Sequence, residues 1–249
     1  MRPRLEAVWF KGEGPNGASY ERLARVLEYT ASVHCRNWDV HIHHVSMNVN
    51  YKTNGIHSHI SNTEKLIHWA RAIERAEDGA EVLLMDADMM ILRPIDDIWD
   101  LKFDMAYTTK NAKLPFNGGV VFVRVNAHTK TFMAAWIDAN MQLIASPADH
   151  AKWRHKFGGM NQAAFGLLLP RIHDYKVHLI EIPCKEWNCE QSAWHTYNPA
   201  FTRIVHIKSG LRRAVMAKGS HIETELLPLV HRWRELEKEA HDSEVRSKK

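Results

Sequence analysis

An apolar run that ends in two aspartates constrains the fold of this chain more than any other segment. Residues 81 to 97 read EVLLMDADMMILRPIDD, so Asp86 and Asp88 separate two apolar stretches. The first stretch is continuously apolar, which predicts a strand buried on both faces of a sheet. A pair of carboxylates in such surroundings is unfavourable unless a cationic group meets it. The segment therefore predicts a central strand with a cation-binding end.

The first 90 residues alternate between strand and helix patterns. Strands are predicted at 5–10, 39–47 and 81–88, helices at 19–34 and 61–76, and polar loops at 11–17 and 48–60. Ser19 is expected to cap the first helix, and Ser61 with Glu64 to form a capping box for the second. This order is typical of a parallel α/β sheet, in which ligands bind at the carboxyl ends of strands. Asp86 and Asp88 lie at such an end.

The pattern changes after residue 100. Shorter strands are predicted at 103–110, around 116–125, at 176–183 and at 202–207, and helices at 129–144, 158–169 and 223–249. No internal repeat or low-complexity linker separates these parts. We therefore expect one α/β domain over 1–249 with a mixed, mainly parallel sheet, and a C-terminal helix with a charged tail from about residue 222.

Composition narrows the class of protein. With 249 residues, 45% of them hydrophobic and 25% charged, the chain can bury one substantial core. A formal charge of +4 suits a phosphate-bearing ligand but is low for a dedicated nucleic-acid binder. The odd number of cysteines disfavours a disulfide framework and favours a reducing compartment. With no long apolar run and no signal peptide pattern, we expect a soluble, cytoplasmic protein without a membrane span.

The two aspartates are predicted to point to the same side of an extended segment, with Ala87 opposed. Hard oxygen ligands of this kind select Mg²⁺ or Mn²⁺ over softer metals. Helix capping or surface salt bridges are the structural alternative. A phosphatase of the haloacid-dehalogenase type is a further one, but its motif lies near the start of the domain and is followed by an acidic pair, whereas this motif lies mid-chain without a convincing pair downstream. The metal-site interpretation is therefore favoured.

Several stretches, in order, resemble glycosyltransferases of the GT-A fold, and within them the retaining family 8, which includes glycogenin and bacterial lipopolysaccharide galactosyltransferases. They are NTEKLIHWARAI, VLLMDADMMILRPIDDIW, LPFNGGVVFVRV, GGMNQAAF and IVHIKSGLRR, spread from about residue 62 to 213. The resemblance implies a Rossmann-like sheet flanked by helices and a metal-dependent transfer of sugar from a nucleotide-sugar donor, UDP-linked in this family, to an acceptor hydroxyl with retention.

The resemblance also implies roles for individual residues. The metal ligands would be Asp86, Asp88 and His206, with Asp86 also reaching the ribose and Asp88 binding the Mn²⁺ or Mg²⁺ more directly. The donor would contact three groups of residues: Val8, Trp9, Phe10 and Tyr20 at the base, Lys65, Asn117, Gly118 and Gly119 around the sugar, and Lys208, Gly210 and Arg212 at the diphosphate.

One departure from the family bears on the mechanism. The usual Gly-Gly-Asp-Gln segment is replaced by Gly159-Met160-Asn161-Gln162, so an amide stands where a carboxylate is common. Asn161 cannot be a strong nucleophile or base, which makes a covalent intermediate there doubtful. Departure and attack on one face of the sugar is the more economical hypothesis, with Gln162 or Asn161 stabilising the sugar and Asp88 completing the catalytic set.

The acceptor is left open. It could be a glycan, a protein, a small molecule or a hydroxylated base in DNA, and a positive track for DNA could be formed by Arg203, Lys208, Arg212, Arg213 and Lys218. A non-catalytic nucleotide-sugar or nucleic-acid binding module is the rival of another class, motivated by Asn161. Trp187 and Asn188 could face the acceptor or pack in the core, and His41 with His43 could form a zinc pair or an exposed strand edge.

Overall fold

A computed structural model of the chain describes residues 1–11, 15–46, 56–109, 116–153, 159–217 and 222–247. The strands are β1 Arg4–Lys11, β2 Asp39–Ser46, β3 Glu81–Asp86, β4 Met89–Ile91, β5 Met105–Thr109, β6 Phe116–Arg124, β7 Leu179–Pro183 and β8 Ile204–His206. The helices are α1 Pro15–His34, α2 Ile56–Arg75, α3 Ala127–Ala145, α4 Pro147–Trp153, α5 Met160–Leu168, α6 Cys184–Trp187, α7 Ser209–Met216 and α8 Leu227–Ser247, with 3₁₀ turns at Asp96–Asp100, Leu169–Tyr175, Trp194–Thr196 and Thr224–Leu226.

Six strands form one mixed sheet in the order β2-β1-β3-β6-β5-β7. Only β6 runs against its two neighbours, since β2, β1 and β3 pair in parallel and β5 pairs in parallel with β7. The predicted mixed, mainly parallel sheet is therefore confirmed. The short strands β4 and β8 form a separate antiparallel pair, which brings the segment after β3 next to residues 204–206.

The central strand β3 is buried on both faces, as its apolar run predicted. Val82 and Leu84 belong to a core with α2, α3 and α5, whereas Leu83 and Met85 belong to a second core with α1. All four side chains are fully inaccessible to solvent. A third cluster joins α1 to α7 and α8 and contains Trp233 of the C-terminal helix. The end of β3 is therefore held rigidly from both sides.

Two predicted helix caps are wrong. Helix α1 begins at Pro15, four residues before Ser19, and α2 begins at Ile56, so Ser61 and Glu64 lie inside it. Proline is well accommodated in a first helical turn, where its missing N–H breaks no hydrogen bond. Pro15 therefore begins a helix, although the sequence predicted a loop at this position. Of the loops predicted at 11–17 and 48–60, residues 12–14 and 48–55 lie outside the described residues.

Other boundaries shift by a few residues. The third strand ends at Asp86 instead of residue 88, because the chain bends before β4. The segment predicted as short strand structure around 116–125 is one continuous strand of nine residues, β6. The short elements β4, α4, α6 and α7 were not predicted. No helix in the described part of the chain combines the length and apolar character that crossing a bilayer requires.

Candidate active site

Asp86 lies at the carboxyl end of β3 and forms an ion pair with Lys65 of α2. Lys65 is nearly inaccessible, and its ammonium nitrogen lies 4.6 Å from the centre of the Trp69 ring. A cation between a carboxylate and an aromatic face is stabilised by both. Lys65, predicted to lie near the sugar of the donor, thus lies against the carboxylate of Asp86 at the end of β3.

Asp88 follows the bend after β3 and is 6% exposed. Its backbone oxygen accepts a hydrogen bond of 2.7 Å from the amide of Ile207, which ties this bend to the end of β8. Its carboxylate contacts the guanidinium of Arg212 and lies 3.3 Å from Nε2 of His206. Burial raises the pKa of Asp88, but His206 and Arg212 outweigh it, so the pKa lies well below its usual value. Asp88 is therefore a carboxylate at neutral pH.

His206 completes a cluster that we call the carboxylate–imidazole centre, which consists of Asp86, Asp88 and His206. The antiparallel pairing of Met89 with His206 brings the imidazole to the aspartates across more than a hundred residues of sequence. Its Nε2 is 3.7 Å from Asp86 Oδ2, and one ligand atom from each of the three residues lies within 4.8 Å of the others. Two carboxylates and one imidazole suit Mn²⁺ or Mg²⁺, so the predicted donor set fits a divalent cation.

Arg212 links this centre to α1. Besides Asp88, its guanidinium donates to the Tyr20 hydroxyl at 2.7 Å and to the Ile207 backbone oxygen at 3.2 Å. The guanidinium carbon also lies 4.7 Å from the centre of the Tyr20 ring. Burial, and then the negative charge of Asp88, raise the pKa of Tyr20 above its usual value. Tyr20 and Arg212, both predicted to contact the donor, therefore lie together beside the carboxylates.

Lys208 lies between β8 and α7 and pairs with a residue that the sequence did not point to. Its ammonium nitrogen is 2.5 Å from Oε2 of the buried Glu190, whose other oxygen accepts from Ser192. Burial raises the pKa of Glu190, but Lys208 and Ser192 outweigh it and lower the pKa to about 2. At Gly210, a methyl group would meet only ordinary contacts of 3.8 Å. Gly210 is therefore not required by close packing.

Two adjacent glycines of β6 let other side chains approach the strand. A Cβ at Gly119 would lie 2.8 Å from Nδ1 of His206, and a Cβ at Gly118 would lie 3.2 Å from Cγ of Gln162. The neighbouring Asn117 is buried, with its amide nitrogen 3.7 Å from the Cys184 sulfur. Gly118 and Gly119, predicted to lie around the sugar, are therefore part of strand β6, and each makes room for one predicted site residue.

Helix α5 begins with a second cluster, which we call the amide pair: Asn161 and Gln162. Asn161 is fully buried, and within the described residues neither its Oδ1 nor its Nδ2 has a hydrogen-bond partner. The Oε1 atom of Gln162 is likewise buried and unpaired. The backbone is fixed, since Trp136 donates a hydrogen bond of 2.7 Å to the Asn161 carbonyl. These amides offer donors and acceptors that hydroxyl groups of a ligand could satisfy.

The residues predicted to line the base are divided by the structure. Val8 is paired in register with Asp86 and is buried, while Phe10 is partly exposed at the end of β1. Trp9 points elsewhere: its ring stacks on His44 at 4.2 Å and lines a cavity of about 250 Å³ between β1, β2, α1 and α8. The residues that line this cavity do not include the carboxylate–imidazole centre.

The positive track considered for DNA is largely neutralised. Arg203 makes two hydrogen bonds to Asp97, at 2.6 and 2.7 Å, and one to Glu186 at 2.8 Å. Lys208 and Arg212 are paired with carboxylates as described above, Arg213 is exposed, and Lys218 lies outside the described residues. Three of the five basic side chains are therefore already committed to ion pairs within the protein.

Other residues weighed from the sequence have structural partners. His43 lies 2.7 Å from a carboxylate oxygen of Glu6. In the part of the chain that is described, the carboxylate–imidazole centre is the only group of three or more His, Cys, Asp or Glu side chains that could hold a metal ion. Trp187 is buried against Phe122, and the cysteines are free thiols.

Asn188 and Glu190 were not predicted to support the site. They face His206 and Lys208, respectively.

Solved structures share this fold although the sequence matches no family model and no curated protein. A glycosyltransferase involved in the glycosylation of the major capsid of PBCV-1 superposes with a TM-score of 0.56 at 16% identity, covering 86% of this chain and 99% of that chain. The galactosyltransferase LgtC, solved with donor and acceptor sugar analogues, gives a TM-score of 0.51 at 11% identity over 95% of each chain. The expected GT-A glycosyltransferase fold is confirmed.

Proposed function

We propose that the protein is a metal-dependent glycosyltransferase that moves a sugar from a nucleotide-sugar, UDP-linked, to an acceptor hydroxyl with retention. The observation that carries the proposal is the carboxylate–imidazole centre at the carboxyl end of β3, where Asp86, Asp88 and His206 offer ligand atoms within 4.8 Å of one another. A bound Mn²⁺ or Mg²⁺ would neutralise negative charge on a diphosphate. Free thiols are typical of a reducing compartment, so a cytoplasmic location is part of the proposal.

Basic residues around the centre would hold the leaving group. Cleavage of the bond between the sugar C1 and the phosphate oxygen leaves its electron pair on the diphosphate. Arg212 and Lys65 already lie against Asp88 and Asp86, so their charges would reach diphosphate oxygens bound beside the carboxylates. Preorganised cations at a site of developing charge lower the barrier because they need no reorganisation during the reaction.

The amide pair would hold the sugar itself. Among the described residues, Asn161 has two buried polar atoms without a hydrogen-bond partner and Gln162 has one, and sugar hydroxyls can both donate to and accept from amides. An amide cannot be the nucleophile of a double displacement. The acceptor oxygen would therefore bond to C1 on the face that the diphosphate leaves, and its proton would pass to the departing phosphate oxygen, which gives retention.

A donor screen tests the function. UDP-, GDP- and ADP-sugars are incubated with the protein and Mn²⁺, and the release of free nucleoside diphosphate (UDP, GDP or ADP) is measured. We expect slow release from a UDP-sugar that stops when EDTA removes the metal and that Asp88→Asn abolishes. Binding of donors without release over long incubation would instead establish the non-catalytic module. Failure to bind any nucleotide-sugar would overturn both.

A further inference from the structure

A buried chain of polar groups leads from β6 to the imidazole of His206. The Thr108 hydroxyl lies 3.3 Å from the backbone oxygen of Asn117, and the Asn188 amide nitrogen lies 2.8 Å from that hydroxyl. The Asn188 Oδ1 atom in turn lies 3.2 Å from Nδ1 of His206. All four residues are at least nine-tenths buried, so water does not compete for these hydrogen bonds.

The direction of each hydrogen bond in this chain follows from its first acceptor. A backbone carbonyl only accepts, so the Thr108 hydroxyl gives its proton to Asn117 and keeps its oxygen free to accept. The group of Asn188 that faces Thr108 must then be the NH₂, and the group that faces His206 must be the carbonyl. Because this carbonyl only accepts, Nδ1 of His206 carries a proton. An imidazole that coordinates a metal through Nε2 needs its lone pair on that nitrogen, and a proton on Nδ1 leaves Nε2 available, the atom that faces Asp86 and Asp88.

The backbone holds Asn188 in register with His206. The amide of Cys189 donates to the Ile204 oxygen at 2.9 Å, and the amide of His206 donates to the Cys189 oxygen at 2.9 Å. Asn188 itself ends helix α6, and its amide donates to the Cys184 oxygen at 2.9 Å. The side chain of Asn188 therefore cannot shift along β8 unless the backbone hydrogen bonds of Cys189 break.

We propose that Asn188 is a positioning residue that fixes the tautomer and orientation of His206 as a metal ligand, an inference that rests on the proposed metal-dependent function. Partners of this kind raise the basicity of the coordinating nitrogen and hold the ring toward the metal. Their removal weakens metal binding on the order of ten- to a hundredfold. Asn188, weighed from the sequence as an acceptor contact or a core residue, thus gains a specific role behind the metal centre.

The test measures Mn²⁺ affinity without any nucleotide, by calorimetry and by the EPR signal of free Mn²⁺. We expect Asn188→Leu to bind Mn²⁺ at least about tenfold more weakly than the wild type. Asn188→Asp keeps an acceptor toward Nδ1 and should stay within about threefold of the wild type, because the role requires an acceptor rather than an amide. Thr108→Val, which frees the amide to flip, should weaken binding by a smaller factor.

Asn140→Leu is the matched control. Asn140 is equally buried and donates to Thr63 at 3.0 Å, without contact to the metal ligands. Its removal tests the effect of losing a buried asparagine as such, and it should leave Mn²⁺ affinity unchanged even if it lowers the urea midpoint. Nitrogen-15 and proton spectra of the Mg²⁺-bound protein should show an Nδ1 proton on His206 that is hydrogen-bonded in the wild type and not in Asn188→Leu, a difference that coordination of the metal at Nε2 alone would not produce.

The outcomes separate this inference from the proposed function. If the wild type binds no Mn²⁺ at all, the metal-dependent function fails and the role of Asn188 fails with it. If the wild type binds Mn²⁺ and Asn188→Leu binds it equally well, only the positioning role is overturned. Should Asn188→Leu not fold, unchanged Mn²⁺ affinity in Thr108→Val, or a protonated Nε2 in the wild-type spectrum, would overturn the role.

Discussion

The carboxylate–imidazole centre and the amide pair lie on two sides of strand β6 and differ in how their polar groups are satisfied. Asp86 and Asp88 have cationic partners and contact His206. Asn161 and Gln162 leave three buried polar atoms without partners among the described residues. An unpaired buried charge is far more costly than an unpaired amide, which costs about 1–3 kcal/mol. The carboxylates are therefore neutralised by side chains of the protein itself, whereas the hydrogen-bond partners of the amides would come from a bound ligand.

Neighbouring glycines separate the two regions. Gly119 makes room for the His206 ring and Gly118 for the Gln162 side chain, and these contacts come from consecutive residues of one strand. Because side chains alternate along a strand, consecutive positions face opposite sides of the sheet. Changes at the two glycines should therefore affect the two regions separately.

Loss of the Asp88 charge should have the largest effect. We expect Asp88→Asn to lower turnover at least about a hundredfold and to weaken Mn²⁺ binding, because a preorganised charge at the metal and diphosphate is removed. Turnover of a UDP-sugar at saturating Mn²⁺ checks this. Asp97→Asn is the control, since Asp97 is half-exposed and pairs with Arg203. Turnover of Asp88→Asn within threefold of wild type would remove the carboxylate–imidazole centre from the mechanism.

Gly119→Ala should have the next largest effect. The added methyl group would lie 2.8 Å from Nδ1 of His206 and 2.6 Å from the Met89 methyl, so the imidazole or Met89 must move. We expect Mn²⁺ affinity to fall on the order of tenfold, as for the loss of other supports of a metal ligand.

The control is Gly118→Ala, whose methyl group would meet Phe116 at 3.1 Å and Gln162 at 3.2 Å. It should leave Mn²⁺ affinity unchanged while raising the KM for the donor. Equal loss of Mn²⁺ affinity in both alanine variants would show that the two regions are one.

Much of this arrangement follows from local sequence patterns. The apolar run before Asp86 predicted the central strand, and the residues that resemble known glycosyltransferases named His206 and the amide pair. The pairing of β4 with β8, which joins His206 to the aspartates, was not predicted. Strand β8 falls within the strand predicted at 202–207, but β4 has only three residues, and the pattern of one strand does not show which other strand it pairs with.

Contacts between distant segments account for the remaining misses. Nothing near Asn188 in sequence indicates His206, because their contact depends on the backbone bridge between Cys189 and Val205. The resemblance to known glycosyltransferases placed Trp9 beside the base, together with Val8, Phe10 and Tyr20. The stacking of Trp9 on His44 depends on which face of the strand it occupies, and a short apolar run without alternation leaves that face undetermined.

Replacement of Asn161 by leucine should make the protein more stable and less active. Leucine has a similar size and removes two buried polar atoms that have no partner within the described part of the chain, so the free energy of unfolding should rise by about 1 kcal/mol. Donor turnover should fall severalfold, because the sugar loses hydrogen bonds. Urea unfolding and donor kinetics measure the two effects.

Asn140→Leu is the comparison for this prediction, since Asn140 has a hydrogen bond to lose. If Asn161→Leu destabilised the protein as much as Asn140→Leu, Asn161 would have a partner and the contrast between the two regions would fail.

Glu190→Gln should have the smallest effect on turnover, but it should change how the stability of the protein depends on pH. Burial raises the pKa of Glu190, but Lys208 and Ser192 outweigh it and lower the pKa to about 2, from an ordinary 4.5. A depressed folded-state pKa contributes stability above the unfolded value, and this contribution is lost as pH falls from about 4.5 to about 2.

The excess stability of wild type over Glu190→Gln should therefore be largest near neutral pH and shrink over that window. Urea midpoints from pH 7 to pH 2 measure it. Asn161→Leu removes no charge and should run parallel to wild type throughout. A Glu190→Gln profile that also runs parallel to wild type would show that the ion pair between Lys208 and Glu190 does not stabilise the folded protein. The ion pairs of this region would then not be the source of stability that their geometry indicates.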